Sequence, residues 1–152
     1  MPVALITGCS SGIGRALADA FKAAGYEVWA SARKPEDVAA LTSAGFIAVQ
    51  LDVNDGVALE QLSSRINQER GGLDVLINNA GYGAMGPLLD GGVPAIQRQF
   101  ETNVFAIVGV TRAMFRCCAE PEGWWSTSAV CPVCWSRRSP VLTAPRKPLC
   151  MP

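Results

Sequence analysis

The chain has 152 residues, of which 49% are hydrophobic and 17% charged, and its 13 Lys plus Arg are matched by 13 Asp plus Glu. That length supports one domain with a real core, and the composition excludes a disordered chain and offers no basic surface for nucleic acid or another polyanion. No apolar run reaches the length of a membrane span and the N-terminus lacks the charged-then-apolar layout of a signal peptide, so the expected location is cytoplasmic.

Val3-Ala4-Leu5-Ile6 reads as a first strand and runs straight into Thr7-Gly8-Cys9-Ser10-Ser11-Gly12-Ile13-Gly14. An apolar strand feeding a Gly-x-x-x-Gly-x-Gly turn and then an amphipathic helix is a way to hold the pyrophosphate of a dinucleotide. In that reading Gly8 permits the tight turn, Gly12 lets backbone N–H groups approach the phosphates, and Gly14 lets the helix pack closely. Ile13, Ala16, Leu17, Ala20, Phe21 and Ala24 recur at helical spacing, and Gly25 closes the helix. Glu27 to Ala32 forms a second strand, after which Arg33-Lys34-Pro35 starts a helix through Val38 and Leu41. Phe46 to Leu51 is a third strand, and the helix after it carries Val57, Leu62 and Ile66 on one face and ends near Gly71-Gly72. Leu73 to Ile77, almost wholly apolar, is a fourth strand covered on both faces. A long helix from about Pro94 to Met114 is expected to bury Phe100, Val104 and Ile107. The strand–helix alternation predicts an α/β fold with a parallel sheet and right-handed crossovers.

From Val3 to about Phe115 the sequence resembles the short-chain dehydrogenase/reductase family. The marks are Thr7-Gly8-x-x-x-Gly12-Ile13-Gly14, Asp52-Val53, Asn78-Asn79-Ala80-Gly81 and Asn103, in the family's order. The resemblance implies a Rossmann-like doubly wound parallel sheet, here ending after about four strands and the long helix. It also implies NAD(P)-dependent interconversion of a carbonyl and an alcohol by hydride transfer, on a small-molecule substrate, in a homo-oligomer. Thr7, Gly8, Ser10, Ser11, Gly12, Ile13 and Gly14 would then cradle the cofactor. Asp52 would accept a hydrogen bond from the adenine amino group while the Val53 amide meets the ring; the alternative for Asp52 is a helix N-cap. Asn79, Ala80 and Gly81 would border the ribose, and Asn78 brace the central strand. Asn103 would hold, through its backbone, a water on the proton relay; its alternative is a local helix bend. Gly81-Tyr82-Gly83-Ala84-Met85-Gly86-Pro87-Leu88 resembles the branch acting on steroids, retinoids and acyl-ketone lipids.

The tip of the second strand, Ala30-Ser31-Ala32-Arg33-Lys34, has no carboxylate to bind a ribose 2′-hydroxyl. Arg33, helped by Ser31 or Lys34, can pair with a 2′-phosphate, which favours NADP over NAD; Arg33 and Lys34 as a solvated turn is the other reading. The family's remaining catalytic groups are a serine and a tyrosine four residues before a lysine, about 35 to 50 residues beyond Asn103. They are missing. The tyrosines are Tyr26 and Tyr82, and the sole lysine after Lys34 is Lys147.

Composition also changes abruptly. Cys117, Cys118, Cys131, Cys134 and Cys150, three of the four tryptophans and six of the ten prolines all follow residue 116. Both observations are explained by the loss of a nucleotide near the codons of Phe115 and Arg116. In the shifted frame Trp124-Trp125 forces a valine codon, while serine, tyrosine and lysine codons can overlap Val130, Thr143 and Lys147 at the family's spacings. The expected organisation is an NADP-binding domain over 1–116 and a frameshifted tail over 117–152 without native structure. A zinc or redox site at Cys131-x-x-Cys134 is the competing account, but the chain has no histidine and the spacings match no usual ligand set, so no metal is expected. Without its catalytic groups the chain is expected to be inactive, a non-catalytic nucleotide-binding module or a product that does not fold.

Overall fold

The computed structural model describes residues 1–83, 86, 88–115 and 133–136, the side chains of 88–90 and 133–136 excepted. Four short parallel strands, β1 (Val3–Ile6), β2 (Glu27–Ala32), β3 (Ile47–Gln50) and β4 (Val75–Asn78), lie in the order β3-β2-β1-β4. Helices α1 (Gly12–Ala23), α2 (Pro35–Ser43) and α3 (Gly56–Arg70) make the crossovers. This is the parallel α/β sheet that the alternation predicts, in the Rossmann-like form that the resemblance implies.

β1 and β4 are buried along their whole length, as strands covered on both faces must be. One face of the sheet packs Leu5, Trp29 and Leu76 against Leu59, Leu62 and Ile66 of α3 and Val110 and Met114 beyond it. The other packs Ile6, Val28, Ala30 and Ile77 with Ala18 of α1 and Leu41 of α2. On α3 the buried stripe begins at Leu59 rather than Val57, which is 67% exposed in the first turn. Gly71 ends α3 in the left-handed conformation (φ 71°), which a glycine adopts without strain. At the end of the sheet away from the glycine turn, Glu27 accepts hydrogen bonds from Trp29 Nε1 (3.0 Å) and Arg70. Burial works to raise the Glu27 carboxyl, but those bonds and the Arg70 charge hold it below the usual carboxylate value.

The long helix is not one uniform rod. α4 (Leu88–Phe100) is interrupted at Gly92 (φ 57°, ψ −175°), and Pro94 starts the segment that follows, where its missing N–H costs no helical bond. A π-turn (Glu101–Phe105) then leads into α5 (Ala106–Phe115). Sequence periodicity puts Phe100, Val104 and Ile107 inside; instead Phe100 and Val104 are exposed, Ile107 is half-buried, and Ala106, Val110 and Met114 face the core. The π-turn contains one residue more than an α-turn, so the apolar phase slips across it. Val93, Ile96, Phe100, Val104, Phe105 and Val108 form an exposed apolar face.

A fifth strand, β5 (Val133–Ser136), pairs antiparallel with β4, Asn78 opposite Val133, in a segment for which the sequence reading expected no native structure. The outer edge of β4 otherwise presents unpaired N–H and C=O groups, and an extended segment satisfies them. Other residues of 117–152, with Cys131 and the Cys134 side chain, lie outside the described residues, as do Ala84, Met85 and Pro87. Among the described residues no helix is long and apolar enough to cross a membrane.

Candidate cofactor cleft

The strand order reverses between β1 and β4, and an open cleft of about 310 Å³ lies at their carboxyl ends. Its walls are the glycine turn, the tip of β2, the segment after β3 and the segment after β4.

Two residues splice the turn to β4. Thr7, 1% exposed, accepts at its hydroxyl from the backbone N–H groups of Asn79 and Ala80, both at 3.0 Å. Asn79 Nδ2 donates to the carbonyls of Thr7 and Gly8, again at 3.0 Å each. Thr7 and the Asn79 amide are therefore spent on holding the turn, while the rest of Asn79 still lines the cleft.

The three glycines do three different jobs. Gly8 (φ 72°) leaves no room for a side chain, because a Cβ there would lie 2.8 Å from Ala80 Cα. At Gly14 a Cβ would overlap the Gly8 carbonyl and Asn79 Nδ2, so the close approach is to the turn and the end of β4. Gly12 (φ 59°) faces open space, with nothing within 4 Å of a Cβ position. Its need for glycine is conformational, and the space beside it is free for a ligand.

That space adjoins the start of α1. Ser11, at the N-cap, makes no side-chain capping bond, and the first turn has no acidic residue. The terminus keeps its partial positive charge and N–H donors available to an anion. Ser10, Ser11 and Ile13 line the cleft beside it. Cys9, within the same turn, is no nucleophile: its buried Sγ–H donates to the Ile6 carbonyl (3.2 Å), and burial pushes the thiol up to about 12, against a backbone hydrogen bond at Ser31 and the Arg15 charge.

At the β2 tip, Ser31 and Ala32 are buried and Arg33 is exposed. Arg33 is the only charged side chain among the described residues lining the cleft. Lys34 instead sits 3.9 Å from Glu36. After β3, Val53 is buried and lines the cleft, whereas Asp52 is exposed and is not part of the lining. Asp52 is not a helix cap either. Its Oδ1 accepts from Asn54 N (2.9 Å) in a local turn, and Asp55 caps α3 by accepting from Val57 and Ala58.

Asn79, Ala80, Gly81 and Tyr82 form the opposite wall. Asn78 faces away, donating to Thr111 Oγ1 (3.1 Å) while its buried Oδ1 has no partner among the described residues. Asn103 lies in the π-turn and does not line the cleft. Its Oδ1 accepts from Tyr82 N (3.0 Å) and its Nδ2 donates to Tyr82 O (2.8 Å). Its side chain is thus engaged with the segment after β4 rather than with the backbone of its own helix, where a local bend would need it. Sequence reasoning missed Leu51, Tyr82 and Thr102 as lining residues. Tyr82 and Thr102 adjoin Gly81 and Asn103, and that adjacency was the available signal.

A family model described as short chain dehydrogenase matches residues 2–123. A short-chain dehydrogenase/reductase of Pestalotiopsis microspora is 39% identical over 110 residues, 72% of this chain and 40% of that protein. The NADPH-dependent 1-acyldihydroxyacetone phosphate reductase of Schizosaccharomyces pombe is 35% identical over 111 residues, 72% of this chain and 38% of that protein. Among solved structures, a short chain dehydrogenase from Burkholderia cenocepacia J2315 in complex with NADP is similar at a TM-score of 0.66 and 36% identity, over 76% of this chain and 50% of that one. The chain spans about 40% of the length of the curated relatives it matches.

Proposed function

This chain belongs to the short-chain dehydrogenase/reductase family, and from that premise we propose that its cleft binds NADP in preference to NAD. The observation that carries the reading is the bare α1 terminus beside Gly12, with Arg33 as the one charged side chain on the cleft wall among the described residues. The pyrophosphate would lie against the turn at Gly8, Ser10, Ser11, Gly12, Ile13 and Gly14, where N–H donors converge and no Cβ intrudes. Arg33 would hold the 2′-phosphate, Val53 and Asp52 the adenine, and Asn79, Ala80 and Gly81 the ribose. The NADPH-dependence of the Schizosaccharomyces pombe relative and the NADP bound by the Burkholderia cenocepacia neighbour favour the same cofactor.

Titration of the purified chain with NADPH and NADH, read by protein fluorescence, tests this. Arg33 and the missing carboxylate are expected to favour NADPH by about tenfold or more, roughly 1.4 kcal/mol. Equal affinity, or tighter NADH, overturns the preference.

A cofactor bound there would supply a hydride for a carbonyl carbon. The protein's part in such a step is to donate a proton to the carbonyl oxygen, and these 152 residues contain no Tyr-x-x-x-Lys to do so. We therefore read this chain as binding NADPH without turnover. The residues after 116 we assign to a shifted reading frame, whose restored product would be a carbonyl reductase working as a homo-oligomer through the exposed α4–α5 face. Its substrate class would be lipid-like ketones, the choice favoured by the Gly81–Leu88 stretch and by the relative named for an acyl ketone phosphate. Sequencing the coding DNA across codons 114–117 decides the frame: no restorable frame, no shift.

A further inference from the structure

We infer that Thr102 is a positioning residue: from the π-turn it fixes the Asp52–Asn54 loop on one wall of the cleft, while its neighbour Asn103 fixes the Gly81–Tyr82 segment on the other. The inference rests on the NADP reading above.

The π-turn spans Glu101–Phe105, with Ala106 N donating to Glu101 O five residues back. Consecutive helical residues point in directions about 100° apart, so two neighbours can serve two different loops. Asn103 grips the backbone of Tyr82 with both ends of its carboxamide. Thr102 turns the other way, and its Oγ1 accepts from Asn54 Nδ2 at 3.1 Å, across 48 positions of sequence. Asn54 is itself held, its backbone N–H donating to Asp52 Oδ1 at 2.9 Å. Val53, between those two residues, is buried and lines the cleft, as Thr102 does. One chain of contacts therefore runs Asp52, Asn54, Thr102, Asn103, Tyr82, and joins the two walls. A regular α-turn would rotate the residues after it relative to those before, so Thr102 and Asn103 would not serve both loops while Val110 and Met114 stay in the core.

Since the loop held by Thr102 is the one assigned to the adenine, the test uses 2′,5′-ADP, the adenine end of NADP. Thr102→Val keeps the shape and removes the acceptor; Thr102→Ser keeps the hydroxyl. Thr102→Val is expected to weaken 2′,5′-ADP and NADPH about fivefold, the size of one hydrogen bond, with Thr102→Ser within about twofold of the wild type. Asn54→Ala is expected to match Thr102→Val, and the double variant to lose no more than either alone. Valine binding as well as threonine, serine losing as much as valine, or additive losses would overturn the inference while leaving the NADP reading intact. Failure of the wild type to bind 2′,5′-ADP would overturn both.

Discussion

Helices α1 and α3 both begin just beyond the carboxyl end of a parallel strand, yet their first turns are finished differently. α3 is sealed: Asp55 accepts from Val57 N and Ala58 N at 3.0 and 3.1 Å. α1 starts at Ser11 with extended backbone and no side-chain bond to its N–H groups. The same local chemistry was available at both, since serine and aspartate are comparable caps. The difference marks which terminus serves the fold and which is kept for a ligand.

Three substitutions probe that difference. The largest effect is expected for Gly14→Ala, whose methyl would overlap the Gly8 carbonyl and Asn79 Nδ2 and so part the turn from β4. A loss of about 3 kcal/mol or more is expected, large against the stability of a domain this size, and a circular-dichroism melt measures it. A melt like that of the wild type would mean that the turn is not spliced to β4 as described. Ser11→Asp gives α1 the seal that α3 has. It is expected to raise stability by about 0.5 kcal/mol and to weaken NADPH about tenfold, because the carboxylate occupies the anion's place. Unchanged NADPH affinity would remove α1 from the site. Asp55→Ala makes the reciprocal change, with about 1 kcal/mol lost, a fall in Tm of about 4 °C, and NADPH affinity within about twofold. A larger loss of affinity would mean that α3 also takes part in binding.

The order of strands and helices was legible because the apolar runs are short, the helices amphipathic, and Gly25 and Gly71 end helices with positive φ. The turn from Thr7 to Gly14 was legible because its glycines answer backbone demands that no other residue meets. What stayed hidden depends on side-chain direction. The cap role open to Asp52 as the alternative to an adenine contact falls instead to Asp55, three residues on. Thr102 gave no sign of its contact with Asn54, since nothing in a linear pattern shows a hydrogen bond spanning 48 residues. Phe100 and Val104 were assigned to the core on the assumption of unbroken 3.6-residue periodicity, and the π-turn breaks it. Its propensities differ too little from those of an α-turn to be read from composition.

Asn78 gives the outer edge of β4 a property that plain backbone lacks. Hydrogen-bonding groups along a bare edge accept any extended guest, whether from the same molecule or a neighbouring one. Behind that edge lies a carboxamide oxygen, buried and without a donor among the described residues. An acceptor left unpaired in that way costs about 1–3 kcal/mol, which a donor reaching it would recover. One side chain thus does two things at this edge: its nitrogen ties the strand to Thr111 of α5, and its oxygen leaves a buried acceptor behind it.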